Sequence, residues 1–149
     1  RDRGSSFLPS EINAAFLSCQ LEAVEEIQSR RKHIYSTYAE ELETWAKQQS
    51  ILLHHFSEEI SPSYHLFCLI FQTSTKRQDF IDFMARKKIL VTRHYEPLHL
   101  SPYSMECFGE NTPLPITEQT NQGLVRLPLF YNLSDNELAE LIMTIRAFK

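Results

Sequence analysis

The sequence predicts an α+β fold, in which a long N-terminal helix precedes a three-stranded sheet with helices packed on one side. Apolar residues recur at steps of three, four or seven from Ile12 to Trp45, which indicates one face of a helix. Residues 64–72 are almost wholly apolar, as is typical of a central strand covered on both faces. Two further helical patterns, at residues 74–88 and 134–148, alternate with short β-rich segments.

The first predicted helix covers residues 10–47. Ser10 follows Pro9 and has a side chain that caps helix N-termini well, and Glu11 places a carboxylate in the first turn. If it is unbroken, this helix is about 55 Å long at 1.5 Å per residue, a length typical of a helix that bridges two domains or two subunits. A kink near residues 30–33 is an equally good interpretation of the pattern.

A solvated face is expected on this helix. Its acidic residues lie about one turn before its basic residues, and such i,i+4 pairs stabilise isolated helices. The acidic residues are Glu22, Glu25 and Glu26, and the basic ones are Arg30 and Arg31. These charges therefore need no catalytic role.

Three strands are expected to form the sheet, at residues 64–72, 89–92 and 125–130. Pro128 marks the end of the last strand or places it at an edge, because proline cannot donate to a hydrogen-bonded ladder. Residues 51–53 can add a short extended piece within the connector that precedes the first strand.

The two later helices carry start signals, and a long connection lies between them. Ser74 or Thr75 is expected to cap the first, and Ser134 with Glu137 has the form of a capping box at the start of the second. The connection at residues 95–122 is rich in Pro, Ser, Thr and Asn, yet it also holds aromatic and His residues. Loops longer than about 12–15 residues are uncommon unless they are functional or disordered. We therefore expect this loop to form a site.

Composition excludes several classes of protein. The 149 residues suit one domain, and a net charge of -4 argues against nucleic acid as the main partner. Three glycines leave no room for a glycine-rich phosphate loop, and no apolar run reaches the roughly 18–20 residues of a membrane helix. Cys19 and Cys68 lie among apolar neighbours and are expected to be buried free thiols, so a reducing cytoplasm is the simplest setting.

Residues 94–99, His-Tyr-Glu-Pro-Leu-His, are the densest cluster of reactive side chains. His94 and His99 follow a predicted strand end, in a loop position where ligand-binding residues are often found. One interpretation is contact with a polar substrate. The other is a structural histidine with satisfied hydrogen bonds, or a Tyr–His pair at a domain interface. A zinc site is disfavoured because no third ligand lies at a recognisable spacing.

The remaining histidines have simpler interpretations. His54 and His55 lie in a connector and are expected to be exposed. His65 lies in the predicted apolar strand and is expected to be a core histidine with a backbone partner.

Three separated segments of the chain resemble the DegT/StrS-type sugar-nucleotide aminotransferases. They are GSSFLPSEINAAFLSCQLE at the start, HYEPLH at 94–99 and ITEQTNQGLVRLPLFYNLS at 116–134. Their order and spacing extend the similarity over nearly the whole chain. The resemblance implies that the chain begins inside a larger protein, of which it forms the C-terminal part.

The resemblance also implies a fold and a domain organisation. Residues 1–149 would be the C-terminal small domain of the aspartate-aminotransferase fold, also called the type I pyridoxal-phosphate transferase fold. A linking helix at about residues 10–47 would lead into an α+β subdomain at about residues 51–149. The large domain that binds pyridoxal phosphate would be absent from this chain.

For the parent enzyme, the family implies a cytoplasmic homodimer that uses pyridoxal phosphate. Such an enzyme transfers an amino group from glutamate to a keto-sugar nucleotide, here a dTDP-4-keto-6-deoxyhexose, for a bacterial surface polysaccharide of the enterobacterial common antigen type. The catalytic lysine of the family lies upstream, and none of the six lysines here matches its motif. The chain alone is therefore expected to be inactive, with no catalytic residue and no metal site of its own.

Four residues receive site roles from the resemblance. Many members carry a Gly-aromatic-Asn-aromatic-Arg segment before the long helix, and its Asn contacts the cofactor phosphate in the neighbouring subunit. Gly4 matches the Gly, Ser6 takes the Asn position and Leu8 replaces the Arg. A substrate-binding role on the sugar-nucleotide side of the pocket is assigned to His94, Tyr95 and His99.

Two other functions fit the sequence. The first is a stand-alone α+β module that binds a small ligand or mediates dimerisation. The second is a stand-alone enzyme that uses His94 and His99 as acid and base.

Overall fold

The computed structural model describes residues 8–57, 59–93, 95–109 and 112–149. Its helices are α1 (Glu11–Glu22), α2 (Val24–Gln49), α3 (Ser74–Arg86), α4 (Pro102–Phe108), α5 (Pro115–Gly123) and α6 (Asp135–Arg146). Its strands are β1 (Leu52–Leu53), β2 (Phe67–Ile70) and β3 (Leu124–Leu127), and a 3-10 turn covers Leu98–Leu100. In this part of the chain, no helix is long and apolar enough to cross a membrane.

The predicted helix at residues 10–47 begins near its expected start in α1 and ends near its expected end in α2, but it is broken between the two. The Ser10 side chain accepts a hydrogen bond from the Asn13 amide at 3.3 Å, which confirms the predicted cap. Ala23 separates α1 from α2, with φ −101° and ψ 12°. The expectation of a kink at residues 30–33 is wrong, because α2 runs through them unbroken to Gln49.

The three-stranded sheet is antiparallel throughout, in the order β1-β2-β3. The α+β class is confirmed, but one predicted strand is wrong. Residues 89–92 contribute only a bridge between Thr92 and Arg126, and β1 supplies the third strand. Lys88 has a left-handed backbone with φ 61°, and the Ile89 amide bonds back to the Met84 carbonyl at 3.0 Å. Residues 88 and 89 therefore end α3 with a turn, and the chain meets the sheet only at Thr92.

Strand β2 is shorter than the apolar run that predicts it. Tyr64 has a positive φ of 46°, so the chain turns there and becomes extended only at Phe67. His65 is exposed, and its Nδ1 lies 2.7 Å from the Ser63 hydroxyl. The expectation of a core histidine is therefore wrong, whereas His54 and His55 are exposed as expected.

The hydrophobic core lies between one face of the sheet and the helices α2, α3 and α6. Alternate residues of β2 and β3 point into it, together with apolar side chains from the three helices. Its fully buried members include Ile34, Tyr38, Leu42, Phe67, Leu69, Phe80, Met84, Val125, Leu138 and Ile145. Two buried polar groups reach backbone carbonyls: the Tyr38 hydroxyl donates to Pro128 at 2.8 Å, and the Trp45 indole donates to Phe148 at 3.1 Å.

The N-terminal third of the predicted apolar face is not buried. Within α1 no residue is buried, and Ile12 and Phe16 are 81% and 70% exposed. Cys19 is exposed as well, so its predicted burial is wrong, whereas Cys68 on β2 is buried as expected. The pattern predicts a helix here correctly, but the described chain buries none of its apolar residues.

Residues 95–122, predicted as a loop, hold the 3-10 turn and the short helices α4 and α5. Pro102 and Pro115 occupy the first turns of these helices, where a missing N–H is tolerated. Ser101 caps α4 through a bond from the Ser104 amide at 3.2 Å. The same Pro and Ser residues that suggest a loop are therefore helix starts here.

A charged cluster joins α2 to the start of α6. Arg30 donates to the Asp135 carboxylate at 2.7 Å and also bonds to the Leu133 carbonyl, and His33 lies 3.2 Å from Asp135. Glu26 accepts a bond from the Tyr131 hydroxyl. The predicted i,i+4 pairs along α2 are therefore replaced by contacts between elements distant in sequence. The capping box of Ser134 and Glu137 is confirmed beside them.

The charged cluster predicts a pH-dependent contribution to stability. The Arg30 hydrogen bond, more than any other cause, lowers the pKa of Asp135 below its ordinary value of 3.8. A depressed carboxylate pKa stabilises the fold at pH values above the ordinary pKa, and the contribution is lost as the pH falls through the folded value. Asp135→Asn is thus expected to unfold more easily than the wild type in denaturant at neutral pH.

The difference between Asp135→Asn and the wild type should shrink as the pH falls below 3.8. Asp79→Asn removes an exposed carboxylate on α3 and is the matched control, which should show no such trend. An equal effect of both substitutions at every pH would contradict the assignment.

Candidate functional site

The candidate site lies where the chain leaves the Thr92–Arg126 bridge and enters the 3-10 turn. Of the residues with predicted roles, Ser6 and His94 lie outside the described part of the chain, as does Gly4. Tyr95 and His99 are described, and the structure gives each a different partner.

Tyr95 stacks on an arginine that the sequence analysis did not single out. Its ring centroid lies 4.9 Å from the Arg126 guanidinium carbon, a cation–π distance. Arg126 lies on β3 directly opposite Cys68 of β2, so both side chains stand on the sheet face away from the core. An arginine inside the apolar run LVRLPL was the sequence signal for this contact.

Cys68 is a structural thiol in this arrangement. Burial raises the pKa of Cys68, and the nearby Arg126 charge opposes that shift. A thiol with a raised pKa holds little thiolate and is a poor nucleophile. Cys68 therefore packs beneath the site and does not supply a reactive group.

His99 forms a hydrogen-bonded pair with Glu118 of α5. Its Nε2 lies 3.0 Å from the Glu118 carboxylate, and the two side chains are 15% and 32% exposed. Glu118 also accepts a bond from the Leu114 amide at 2.9 Å. The His99 bond first, and the Leu114 bond second, lower the pKa of Glu118. The pair fixes the imidazole of the 3-10 turn against the start of α5.

Two interpretations of the 94–99 motif are substrate contact and a structural histidine with satisfied hydrogen bonds. His99 has the hydrogen-bond partner that the second interpretation requires. The carboxylate contact fixes the imidazole within the 3-10 turn, and an oriented imidazole can still present polar edges to a ligand. Tyr95 is 70% exposed and stacks on Arg126. His94, the other member of the expected acid–base pair, lies outside the described residues.

The His99–Glu118 pair predicts a local change in amide exchange. Glu118→Ala removes the acceptor of the Leu114 amide and should speed hydrogen exchange at that amide. Exchange in β2 and β3 should stay unchanged. Glu106→Ala, an exposed carboxylate on α4, is the control. Unchanged exchange at Leu114 in the Glu118 variant would show that the pair does not hold α5.

The lysines do not fit a covalent cofactor site. A lysine that forms a Schiff base needs desolvation or a neighbouring cation to lower its pKa, yet all but Lys76 are exposed. Lys76 is half-buried, and its ammonium donates to the Gln49 backbone and side-chain oxygens at 3.3 and 3.2 Å. The described chain therefore holds no lysine suited to pyridoxal phosphate. Over the same residues, no cluster of His, Cys, Asp or Glu suits a metal ion.

Comparison with known proteins gives consistent matches over nearly the whole chain. A model of the DegT/DnrJ/EryC1/StrS aminotransferase family matches residues 3–146. The chain is 23% identical over 145 residues to GDP-perosamine synthase of Escherichia coli O157:H7, covering 97% of this chain and 38% of that protein. It is 24% identical over 140 residues to dTDP-3-amino-3,6-dideoxy-alpha-D-galactopyranose transaminase of Aneurinibacillus thermoaerophilus, covering 93% and 36%.

A solved structure shares the fold. DesV of S. venezuelae, solved in complex with a ketimine intermediate, superposes with a TM-score of 0.78 at 26% identity, covering 89% of this chain and 34% of that one. The chain therefore spans well under half the length of the proteins that it matches.

Proposed function

We propose, because the chain belongs to the DegT/DnrJ/EryC1/StrS aminotransferase family, that it is the C-terminal small domain of a sugar-nucleotide aminotransferase with the aspartate-aminotransferase fold. The observation that carries this proposal is the family match over residues 3–146 in a chain that spans only 38% and 36% of its sugar-aminotransferase relatives. In the parent, pyridoxal phosphate supplies the electron sink for amino transfer. The large domain binds it, since no described lysine here is suited to that role.

Uncovered apolar surface supports the proposal that a further domain or subunit packs on this one. Leu8, just before α1, is 87% exposed, and Ile12 and Phe16 on α1 are 81% and 70% exposed. Leu98 and Ile116, in the segment from the 3-10 turn to α5, are 84% and 76% exposed. Exposed apolar patches mark interaction sites in soluble proteins. A cytoplasmic homodimer, in which α1 leads from the large domain, is the assembly that we propose.

For the substrates, we propose a dTDP-4-keto-6-deoxyhexose as amino acceptor and glutamate as donor. The three sequence motifs resemble those of dTDP-4-amino-4,6-dideoxygalactose transaminase, an enzyme of enterobacterial common antigen synthesis. The relative from A. thermoaerophilus has a dTDP sugar in its name, whereas the E. coli relative has a GDP sugar.

The site roles that we propose follow the sequence motifs. Ser6 donates to the cofactor phosphate of the neighbouring subunit through its hydroxyl. His94, Tyr95 and His99 line the sugar-nucleotide side of the pocket. The contacts of Tyr95 with Arg126 and of His99 with Glu118 support positioning of these side chains toward a polar ligand.

The test uses the protein encoded by the complete reading frame that contains this chain. With pyridoxal phosphate, [15N]glutamate and dTDP-4-keto-6-deoxyglucose, we expect the label in the amino sugar, as detected by mass spectrometry. If only GDP-linked acceptors become labelled, the substrate is a GDP sugar and not a dTDP sugar. If no keto-sugar nucleotide becomes labelled, the proposal is overturned. His94→Gln with His99→Gln should raise KM more than it lowers kcat if these residues line the pocket.

The 149-residue chain alone supplies a second test. After incubation with pyridoxal phosphate and borohydride reduction, peptide mapping should find no single modified lysine. One defined modified lysine together with transaminase turnover would contradict the proposed division of labour between domains.

A stand-alone dimerisation module is the second candidate, and the exposed apolar face of α1 is the observation that favours it. In that case the isolated chain should form a stable dimer that Phe16→Glu dissociates, as measured by sedimentation. Glu25→Gln, on the neighbouring helix, is the control. A monomer at all concentrations would exclude the module.

A further inference from the structure

Arg77 on α3 is a buried charged side chain without a carboxylate partner. It is 8% exposed, and one of its terminal nitrogens donates to the Asn121 carbonyl at 3.1 Å. Its Nε is buried and has no hydrogen-bond partner. Burial of a guanidinium is costly unless its donors are satisfied and its charge is compensated. Arg77 has one unsatisfied donor, its Nε, and no carboxylate among the described residues that compensates its charge.

A second guanidinium approaches the first. Burial, and then the positive charge of Arg93, lower the pKa of Arg77. Arg93 is exposed, and over the described residues neither arginine lies within 4.0 Å of a carboxylate. Like charges in proximity repel unless an anion lies between them. The sequence places the two on different elements, and only the fold brings them together.

The two arginines line one small cavity. Its volume is about 180 Å³, and its other walls are Tyr95, Glu96 and Asn121. At about 30 Å³ for each water molecule, this volume holds about six waters, which is enough for one small anionic group with part of its hydration shell. Pockets for whole ligands of drug size begin at about 300 Å³. The cavity therefore fits a group and not an entire nucleotide.

We propose that this cavity binds a small oxyanion, a phosphate or carboxylate group, between the guanidinium groups of Arg77 and Arg93. The Nε of Arg77 is the free donor, and a planar guanidinium presents paired N–H groups that match either oxyanion. Glu96 sits at the rim as the competing carboxylate. Tyr95, stacked on Arg126, forms the aromatic wall. The site needs no part of the proposed aminotransferase function.

The test is a titration followed by the NMR signals of the arginine Nε–H groups. Sodium phosphate is added to the 15N-labelled chain at constant ionic strength, with sodium chloride as the balancing salt. We expect the Arg77 Nε–H signal to shift and to saturate. A parallel titration with sodium acetate distinguishes the sources, because the tighter of the two anions identifies the group as phosphate or carboxylate.

Matched variants separate the cavity from general attraction to a basic surface. Arg93→Gln should weaken binding about tenfold, as expected for loss of one charge-assisted contact. Arg86→Gln removes another exposed arginine, at the end of α3, and should leave the affinity unchanged. Arg77→Lys keeps the buried charge but loses the free Nε donor, and it should abolish saturable binding while the amide spectrum stays folded. Shifts that remain linear with both anions, or equal losses in the two glutamine variants, would overturn the proposal.

Discussion

Gly123→Ala is expected to destabilise the protein by about 3 kcal/mol or more, at the upper end of the cost of overpacking a close contact. A methyl group at this position would lie 2.0 Å from the Phe71 carbonyl oxygen and 3.0 Å from its carbon. These are backbone atoms, so no side-chain rotation relieves the clash. The Phe71 amide also donates to the Gly123 carbonyl at 2.9 Å, and moving the end of α5 away from Phe71 would break that bond. Chemical denaturation with a shift in the midpoint is the measurement.

Gly109→Ala is the control for backbone effects. Gly109 has a positive φ of 70°, and nothing lies within 4 Å of an added methyl group. Its cost should be about 1 kcal/mol, the strain of an L-residue in that conformation. If the Gly123 variant were no less stable than the Gly109 variant, the close approach of α5 to β2 would not be a real constraint.

Phe80→Ala is expected to cost about 3–5 kcal/mol, the usual range for removing a buried aromatic ring. Phe80 is fully buried, and its ring centroid lies 5.1 Å from that of Phe71 and 5.2 Å from that of Phe148. The ring thus joins α3 to the sheet and to the end of the chain, and its loss leaves a cavity among groups that cannot collapse together. Urea unfolding at 25 °C measures the difference.

Phe16→Ala is the counterpart of that substitution on an uncovered helix face. Phe16 is 70% exposed, so truncation should change the stability by no more than about 0.5 kcal/mol. A large cost that grows with protein concentration would show that α1 is covered by a second copy in solution. A large cost independent of concentration would contradict the packing described for α1.

Helix starts could be predicted from the sequence because caps depend on neighbouring residues. Ser10 and the pair of Ser134 and Glu137 act as expected. The cap of α3 shifts by one residue to Thr73, which accepts from the Lys76 amide. Adjacent Thr and Ser residues give the same local signal, and only the geometry of the preceding chain decides between them.

Strand identity could not be predicted in the same way, because pairing partners are distant in sequence. Residues 89–92 have β-forming composition, yet the turn at Lys88 holds most of them against α3. The short extended piece expected at residues 51–53 is β1, but its pairing with β2 depends on α2, which brings Leu52–Leu53 to the edge of β2. The apolar residues of α1 likewise predict a helix, but they do not show whether other residues of this chain bury them.

Local pattern singles out the 94–99 motif but not the partners of its residues. Glu118 lies nineteen residues beyond His99, and Arg126, the partner of Tyr95, lies on β3. The arginine pair of the small cavity has no sequence signal, since α3 and the segment after the Thr92 bridge supply one member each. Such sites depend on contacts between residues that are distant in sequence, and a local sequence pattern carries no information about those contacts.

The separation of β2 from β3 also constrains how the protein reaches its native state. The central pairing joins Phe67–Ile70 to Leu124–Leu127 across three helices and the 3-10 turn. Contacts between distant segments form slowly, because the entropy of closing the intervening chain is lost before the contacts compensate for it. We therefore expect the contact of Gly123 with Phe71 to form late in folding, after the helices whose signals are local. Its loss should then accelerate unfolding more than it slows folding.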